Sequence, residues 1–293
     1  MYSEIASNKR KTVFLITGFL ILVATLAYFA GVYAGNYSIT IGVLVGSFFY
    51  VLFSYFGSAR AALAFNGAKE IQKQDDPRLW RTVENLAITE GLPMPKVYVM
   101  DDAGLNAFAT GRDPKHASVA ITTGLLRALD DNELQGVMAH EMAHIKNYDI
   151  RVSIVVFGLV SVISILADIF LRISLFGGSN SDDEDTGSLT IIIGVFAFIL
   201  APIVALLIQS AISRKREYLA DATGALTTRY PEGLASALEK IKLGGSATKK
   251  QNTSTAHLFI ANPLKGKSMS SLFSTHPPMD ERIAILRGIG SKL

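Results

Sequence analysis

Apolar residues are spread unevenly along the chain: four long runs alternate with two polar blocks. Val13 to Ala34 and Ile39 to Phe56 are separated by Gly35-Asn36-Tyr37-Ser38, a turn sequence suited to joining antiparallel helices. Val152 to Phe176 and Leu189 to Ile212 form a second pair, joined by a polar acidic connector at 177–187. Crossing hydrocarbon takes about 20 consecutive apolar residues in a helix. Each run therefore predicts a spanning helix, and each pair a hairpin. Lys9, Arg10 and Lys11 precede the first run as they would in a secretory signal, but the run outlasts the usual apolar stretch of about 7–15 residues.

The polar blocks, 59–150 and 214–293, show mixed patterns. Arg60 to Ile71 is helical in pattern. Pro77 to Leu92 carries apolar residues at Leu79, Val83, Leu86 and Ala87, with proline at its first turn and Gly91 at its end, and predicts an amphipathic helix. Pro95 to Met100, Asn106 to Gly111 and Ala117 to Thr122 are β-prone and predict a small sheet beside the helices. Asp130 and Glu133 have capping-box spacing ahead of a further helix. Pro231 to Leu243 and Pro278 to Gly288 are helical in pattern, and Gly244 to Gln251 reads as a basic, flexible loop.

Composition agrees with the membrane pattern: 49% of residues are hydrophobic and 18% charged, against about 25% charged in soluble chains. Positive charge near helix ends is retained on the cytoplasmic side. Lys9, Arg10, Lys11, Arg60, Arg151, Arg214, Lys215 and Arg216 all fall on one side of a four-span arrangement, whereas Asp182, Asp183, Glu184 and Asp185 fall on the other. Both termini and both polar blocks are thus expected in the cytosol. Asp168 and Arg172 in the third run sit near the far interface and read as a snorkelling ion pair. The formal charge of +3 gives no case for nucleic acid; lipid headgroups account for where the basic residues lie. With no cysteine present, thiolate chemistry is excluded, and any metal must be held by histidine and carboxylate.

One motif carries chemistry. His140-Glu141-Met142-Ala143-His144 follows the capping box, so its two histidines lie one turn apart on one helix face, where both can reach one zinc ion. Glu141 is placed to act as general base toward a water. A third ligand is needed, and His116, His257 and His276 lack partners at helical spacing. Glu217 and Asp221, directly after the fourth run, share one helix face: Glu217 is the candidate ligand, and Asp221 the candidate acceptor for the free ring N–H of a ligand histidine. Arg214 and Arg282 are both candidates to brace these carboxylates, and the sequence does not choose between them.

With these motifs, the Asn106-Ala107-Phe108-Ala109 strand and His276-Pro277 near the end, the chain resembles HtpX-type membrane metallopeptidases over nearly its whole length. These are kin to the CaaX prenyl-protein endopeptidases and the Oma-type proteases. The resemblance implies one Zn2+ per chain held by His140, His144 and Glu217, with Glu141 as catalytic base and Asp221 behind the ligands. It further implies an edge strand around Asn106 that pairs with extended substrate, and an oxyanion or substrate contact at His276.

The expected fold is mainly α: a multi-span membrane protein with a gluzincin-like α+β metallopeptidase domain containing a small β-sheet. The expected divisions are an N-terminal transmembrane hairpin (1–58), a first cytosolic peptidase part (59–150), a second transmembrane hairpin (151–213) and a second peptidase part bearing the third ligand (214–293). The resemblance places the chain in a bacterial plasma membrane, multi-pass, with its active site facing the cytoplasm. There it would cut misfolded or damaged membrane proteins and unfolded polypeptides in stress-linked quality control. A metal-retaining scaffold or chaperone is the alternative, although it would have no use for Glu141. A metal transporter would carry its ligands inside the spans rather than beside them.

Overall fold

The computed structural model describes residues 2–33, 35–161, 214–250, 254–264 and 277–291. The acidic connector, the fourth apolar run, the Asp168–Arg172 pair and His276 lie outside the described residues.

The first two apolar runs form helices α1 (Tyr2–Tyr33) and α2 (Tyr37–Phe65), packed against each other. The turn between them uses Gly35 at φ 59°, and the Asn36 side chain accepts a hydrogen bond from the Ser38 N–H to cap α2. Among the described residues, one helical stretch, Thr40–Phe65, is long and apolar enough to cross a membrane. It is hardly covered: Phe48, Phe49, Phe53 and Phe56 all point outward, Phe53 with 70% of its surface exposed. Water would penalise such a face heavily, whereas hydrocarbon is its natural solvent. Residues 149–161, where the third run begins, are helical and pack Val155, Val156, Leu159 and Val160 against Phe19 of α1 and flanking side chains of α2.

The helical pattern expected over Arg60 to Ile71 is overturned at its end. Asn66 caps α2 and Gly67 turns left-handed at φ 68°, so the chain leaves the helix and Ala68–Glu70 becomes strand β1. The three expected strands follow as β2 (Lys96–Met100), β3 (Ala107–Gly111) and β4 (Ala117–Thr122). The sheet order is β1-β2-β4-β3, with β2 and β4 parallel and the other pairs antiparallel. β4 is buried throughout because helices cover both faces. Val97, Val119 and Ile121 face the main core, while Met100, Phe108 and Ala120 meet Ala62, Leu63 and Phe157 on the membrane side.

α3 (Pro77–Glu90) forms as its signals predict: Asp76 caps it by accepting from the Leu79 N–H, and Gly91 ends it at φ 64°. A short helix, α4 (Thr123–Ala128), leads to α5 (Asp131–Lys146), where the Asp130–Glu133 capping box is complete. α5 is the central helix, buried on nearly every side by α3, the sheet, α6 (Arg214–Thr228) and α7 (Pro231–Gly244). α8 (Met279–Gly290) closes over α7 and α6. One core therefore draws on both polar blocks, from Leu79 to Leu286. The segment expected to be a flexible loop is instead pinned: Gly245 O accepts from the Leu105 N–H, and the Lys249 N–H donates to Asp102 at 2.7 Å.

The contact of α5 with α7 depends on Gly136. A Cβ there would stand 2.6 Å from the Leu234 nitrogen and 2.9 Å from its Cα. Gly136→Ala must push the helices apart, and we expect a loss of about 1–3 kcal/mol, read as a lower thermal midpoint of the purified protein.

Candidate metal centre

α5 presents His140, Glu141 and His144 toward α6, which supplies Glu217 and Asp221. Close approach is possible because Gly224 of α6 sits against the backbone of His140. The two imidazole Nε2 atoms are 3.1 Å apart, and the Glu217 carboxylate lies 3.8 Å from that of His140 and 3.6 Å from that of His144. Among the described residues these three form the group able to hold a metal ion, with ligand atoms within 4.8 Å of one another. Ligand bonds of about 2.0–2.2 Å in a tetrahedron separate the ligand atoms by about 3.3–3.6 Å. The observed spacings bracket that range, so the donor set fits a metal.

Each histidine is aimed from behind. Nδ1 of His140 is 2.9 Å from Asp221, and Nδ1 of His144 is 2.9 Å from Asp149, which turns both Nε2 atoms into the shared space. Asp221 in turn takes two hydrogen bonds from Arg282 of α8, at 2.8 and 2.7 Å. Arg282 is fully buried and is the arginine that braces the site, whereas Arg214 is exposed. Asp149 also receives the amide of Asn8 from α1 at 2.7 Å and faces Arg216 at 3.7 Å.

The role of Asp149 was hidden in the sequence because it lies five residues beyond His144, off its helix face. Tyr148, at φ 61°, breaks the helix and sends the restarting chain back past the imidazole. The only local signal was the Asn147-Tyr148 interruption. His257, whose Nε2–H donates to Ser153 O at 3.0 Å, is a second residue of the cleft that spacing did not reveal.

Burial pushes the Glu141 carboxyl up to about 7; its neighbour Glu217 adds to this, while His144 and the Ala109 backbone N–H work against it. Burial pulls His140 down to about 4 despite Asp221. Burial also opposes charge on His144, but Asp149 and Glu217 outweigh it and hold the ring at about 9. For Asp221 burial is again the largest influence, overcome by Arg282, and the carboxyl lies below its ordinary value.

Asn106 is fully buried and does not line the cleft. Its amide donates to Ser246 O and Ala261 O at 2.9 and 2.8 Å, fastening the segment after α7 to the start of β3. β3 is one of the two edge strands of the sheet, yet its first half is taken: Phe108 bridges to Phe259, and Ala107 O accepts from the Ile260 N–H. Ala109 lines the cleft beside Glu141.

Residues 73–289 match the sequence profile of Peptidase family M48. The chain belongs to peptidase family M48. A "Protease HtpX homolog" from Tropheryma whipplei (strain Twist) is 51% identical over 292 residues, covering 100% of this chain and 99% of that protein. Another, from Dictyoglomus thermophilum, is 48% identical over 296 residues, covering 99% and 95%. Among solved structures, the crystal structure of S. mikatae Ste24p superposes with a TM-score of 0.50 at 21% identity, covering 98% of this chain and 67% of that one, a likeness of fold. This M48 chain is thus a membrane-associated metalloprotease of the HtpX type, mainly helical with a small mixed sheet.

Two outcomes follow from the charge arrangement. Nε2 of His144 can bind metal only without its proton, and in the metal-free chain the ring keeps that proton below about pH 9. Metal affinity should therefore rise about tenfold per pH unit between 6 and 8 and release about one proton per ion, measured by calorimetry in buffers of different ionisation enthalpy. His140, at about 4, adds no pH dependence in that window. Arg282→Met strands the buried Asp221 carboxylate, and we expect a loss of about 3–5 kcal/mol as a lowered unfolding midpoint, together with weaker metal retention.

Proposed function

We propose that this M48 chain is a zinc-dependent endopeptidase that cuts misfolded or damaged membrane proteins at the cytosolic face of a bacterial plasma membrane, as part of stress-linked quality control. The observation that carries the reading is the position of Glu141. Its carboxylate is buried at the wall of a cleft beside His140, His144 and Glu217, with its pKa raised into the neutral range. A purely structural metal site has no need of such a group. Two imidazoles with one carboxylate suit zinc, and a bound zinc ion would supply Lewis acidity toward a carbonyl and lower the pKa of a water.

The remaining steps belong to the chain. Glu141 takes a proton from water and returns it to the leaving nitrogen; a carboxyl near 7 is matched to both transfers at neutral pH. Asp221 and Asp149 hold the ring tautomers of His140 and His144, and Arg282 keeps Asp221 ionised. An extended substrate would pair with β3 from Ala109 onward, because residues 259–260 already occupy the earlier positions. His276 is our proposed donor to the negative charge developing on the carbonyl oxygen.

The cytosolic placement rests on charge. Lys9 and Arg151 both stack on the Tyr148 ring, at 4.8 Å each, so the basic ends of two apolar helices converge at the end of α5, next to the metal ligands. A multi-pass arrangement with hairpins at 1–58 and 151–213 and peptidase parts at 59–150 and 214–293 agrees with that convergence. Its partners would be the lipid bilayer and polypeptide substrates, with no nucleic acid.

Glu141→Gln should leave zinc content unchanged and lower turnover of an unfolded casein-like substrate by about 10²–10⁴-fold. Equal zinc and equal absence of cleavage in wild type and variant would favour the scaffold instead, and a wild type that binds no zinc would refute the metal assignment.

A further inference from the structure

A second pocket lies away from the metal centre, between the far end of α2 and the surface of the sheet. Arg60, Lys96, Arg112, Lys115 and His116 line it, and no carboxylate does. Two acidic residues stand just outside. Glu70 pairs with Lys96 at 2.9 Å, and Asp113 meets His116 at 2.8 Å and Arg112 at 3.6 Å. Arg60 and Lys115 have no carboxylate partner among the described residues, and both are exposed. The pocket thus keeps an excess of positive charge with two cations uncommitted.

Its position gives that charge a meaning. Arg60 is the only charged residue of α2 and follows Phe56 by about one turn. Phe53 and Phe56 are the last exposed aromatics of the apolar face before it. The Arg112 guanidinium lies over the Phe56 ring, 5.0 Å from its centre, and the neighbouring Tyr55, which also lines the pocket, is of the kind that marks the membrane boundary. Phe56 and Tyr55 form one wall and are continuous with the outward face of α2. A molecule that filled this pocket with a phosphate could lay its apolar tails along Phe53 and Leu52, both exposed. A free phosphate or an acidic peptide would use the cations and leave that apolar wall uncovered.

We propose that this pocket binds the headgroup of an anionic glycerophospholipid, with Arg60 and Lys115 contacting the phosphate and the acyl chains lying on α2. The proposal rests on the membrane reading of α2 and is independent of the peptidase chemistry.

The test uses the full-length protein in detergent, titrated with phosphatidylglycerol and with phosphatidylcholine and read by native mass spectrometry. The wild type should retain phosphatidylglycerol preferentially. Arg60→Gln with Lys115→Gln should weaken that retention roughly 25-fold, since each basic residue near an anionic headgroup contributes about a factor of five. Arg81→Gln with Lys73→Gln, which removes the same charge elsewhere on the surface, should leave it unchanged. Unchanged zinc content and proteolysis show that the variants are folded; Lys115→Gln alone, at an exposed position, should still cost about five-fold. Equal retention of both lipids, or no effect of the paired substitution, overturns the proposal. Displacement of phosphatidylglycerol by millimolar glycerol phosphate also overturns it, in favour of a free phosphate site. Washing membranes with alkaline carbonate separates the two levels: release of the wild type would sink the membrane reading itself, whereas a carbonate-resistant protein with no lipid preference sinks only the pocket.

Discussion

Taking charges out of water costs several kcal/mol per ion unless each meets an opposite charge in good geometry. The centre of this molecule buries Glu141, Glu217, Asp149, Asp221, Arg216 and Arg282 within reach of two histidines. Such a group is tolerable only as a network, and the helices are arranged to complete it. Arg282 comes from α8, the carboxylates from α6 and from the residue after Tyr148, and the imidazoles from α5. Each of these helices has a packing reason to be where it is, but charge compensation decides their rotation and register. The glycines at 136 and 224 serve the same end, since they let α7 and α6 approach α5 closely enough for short polar contacts to form.

Around this centre the sheet acts as a partition. One face supports α5 through Val97, Val119 and Ile121, and the other rests on α2 and the helix at 149–161 through Met100, Phe108 and Ala120. A strand buried on both sides has no polar face to spare, which is why β4 reads Ala-Ser-Val-Ala-Ile-Thr without a single charge. The edge strand β3 faces the cleft, but it is half covered by residues held through Asn106. The covered half fixes the wall of the cleft, and Ala109, just beyond it, lines the cleft beside Glu141.

Much of this was legible in the sequence because the signals were local. The capping box at Asp130, the proline and glycine bounding α3, and the one-turn spacing of His140 and His144 each report on a single helix, and helical periodicity is a strong constraint. Ala68–Glu70 was misread because the apolar pattern of α2 carries past its end, although Asn66-Gly67 is a terminating pair whose left-handed glycine could have been weighed more heavily. Gly244 to Gln251 looked loose because its composition is polar; residues 245–249 are held by the Asp102 carboxylate and by the backbone of Leu105 and Pro263, which no local pattern encodes. Asp149 and the choice of Arg282 over Arg214 were invisible for the same reason. They depend on a sharp backbone turn at Tyr148 and on a contact across 61 residues of sequence.

Asn8 ties these observations together. It sits in the first turns of α1, is wholly buried, and gives its amide to Asp149 and to the carbonyl of Asn147, directly behind the candidate ligand ring of His144. The long helix α1 is thus also part of the bracket that aims His144. There is no seam between this helix and the candidate metal centre: a fragment released without it would be a machine with one bearing removed, its histidine free to swivel. The consequence is that the candidate metal centre keeps its alignment only while α1 stays packed against the peptidase core.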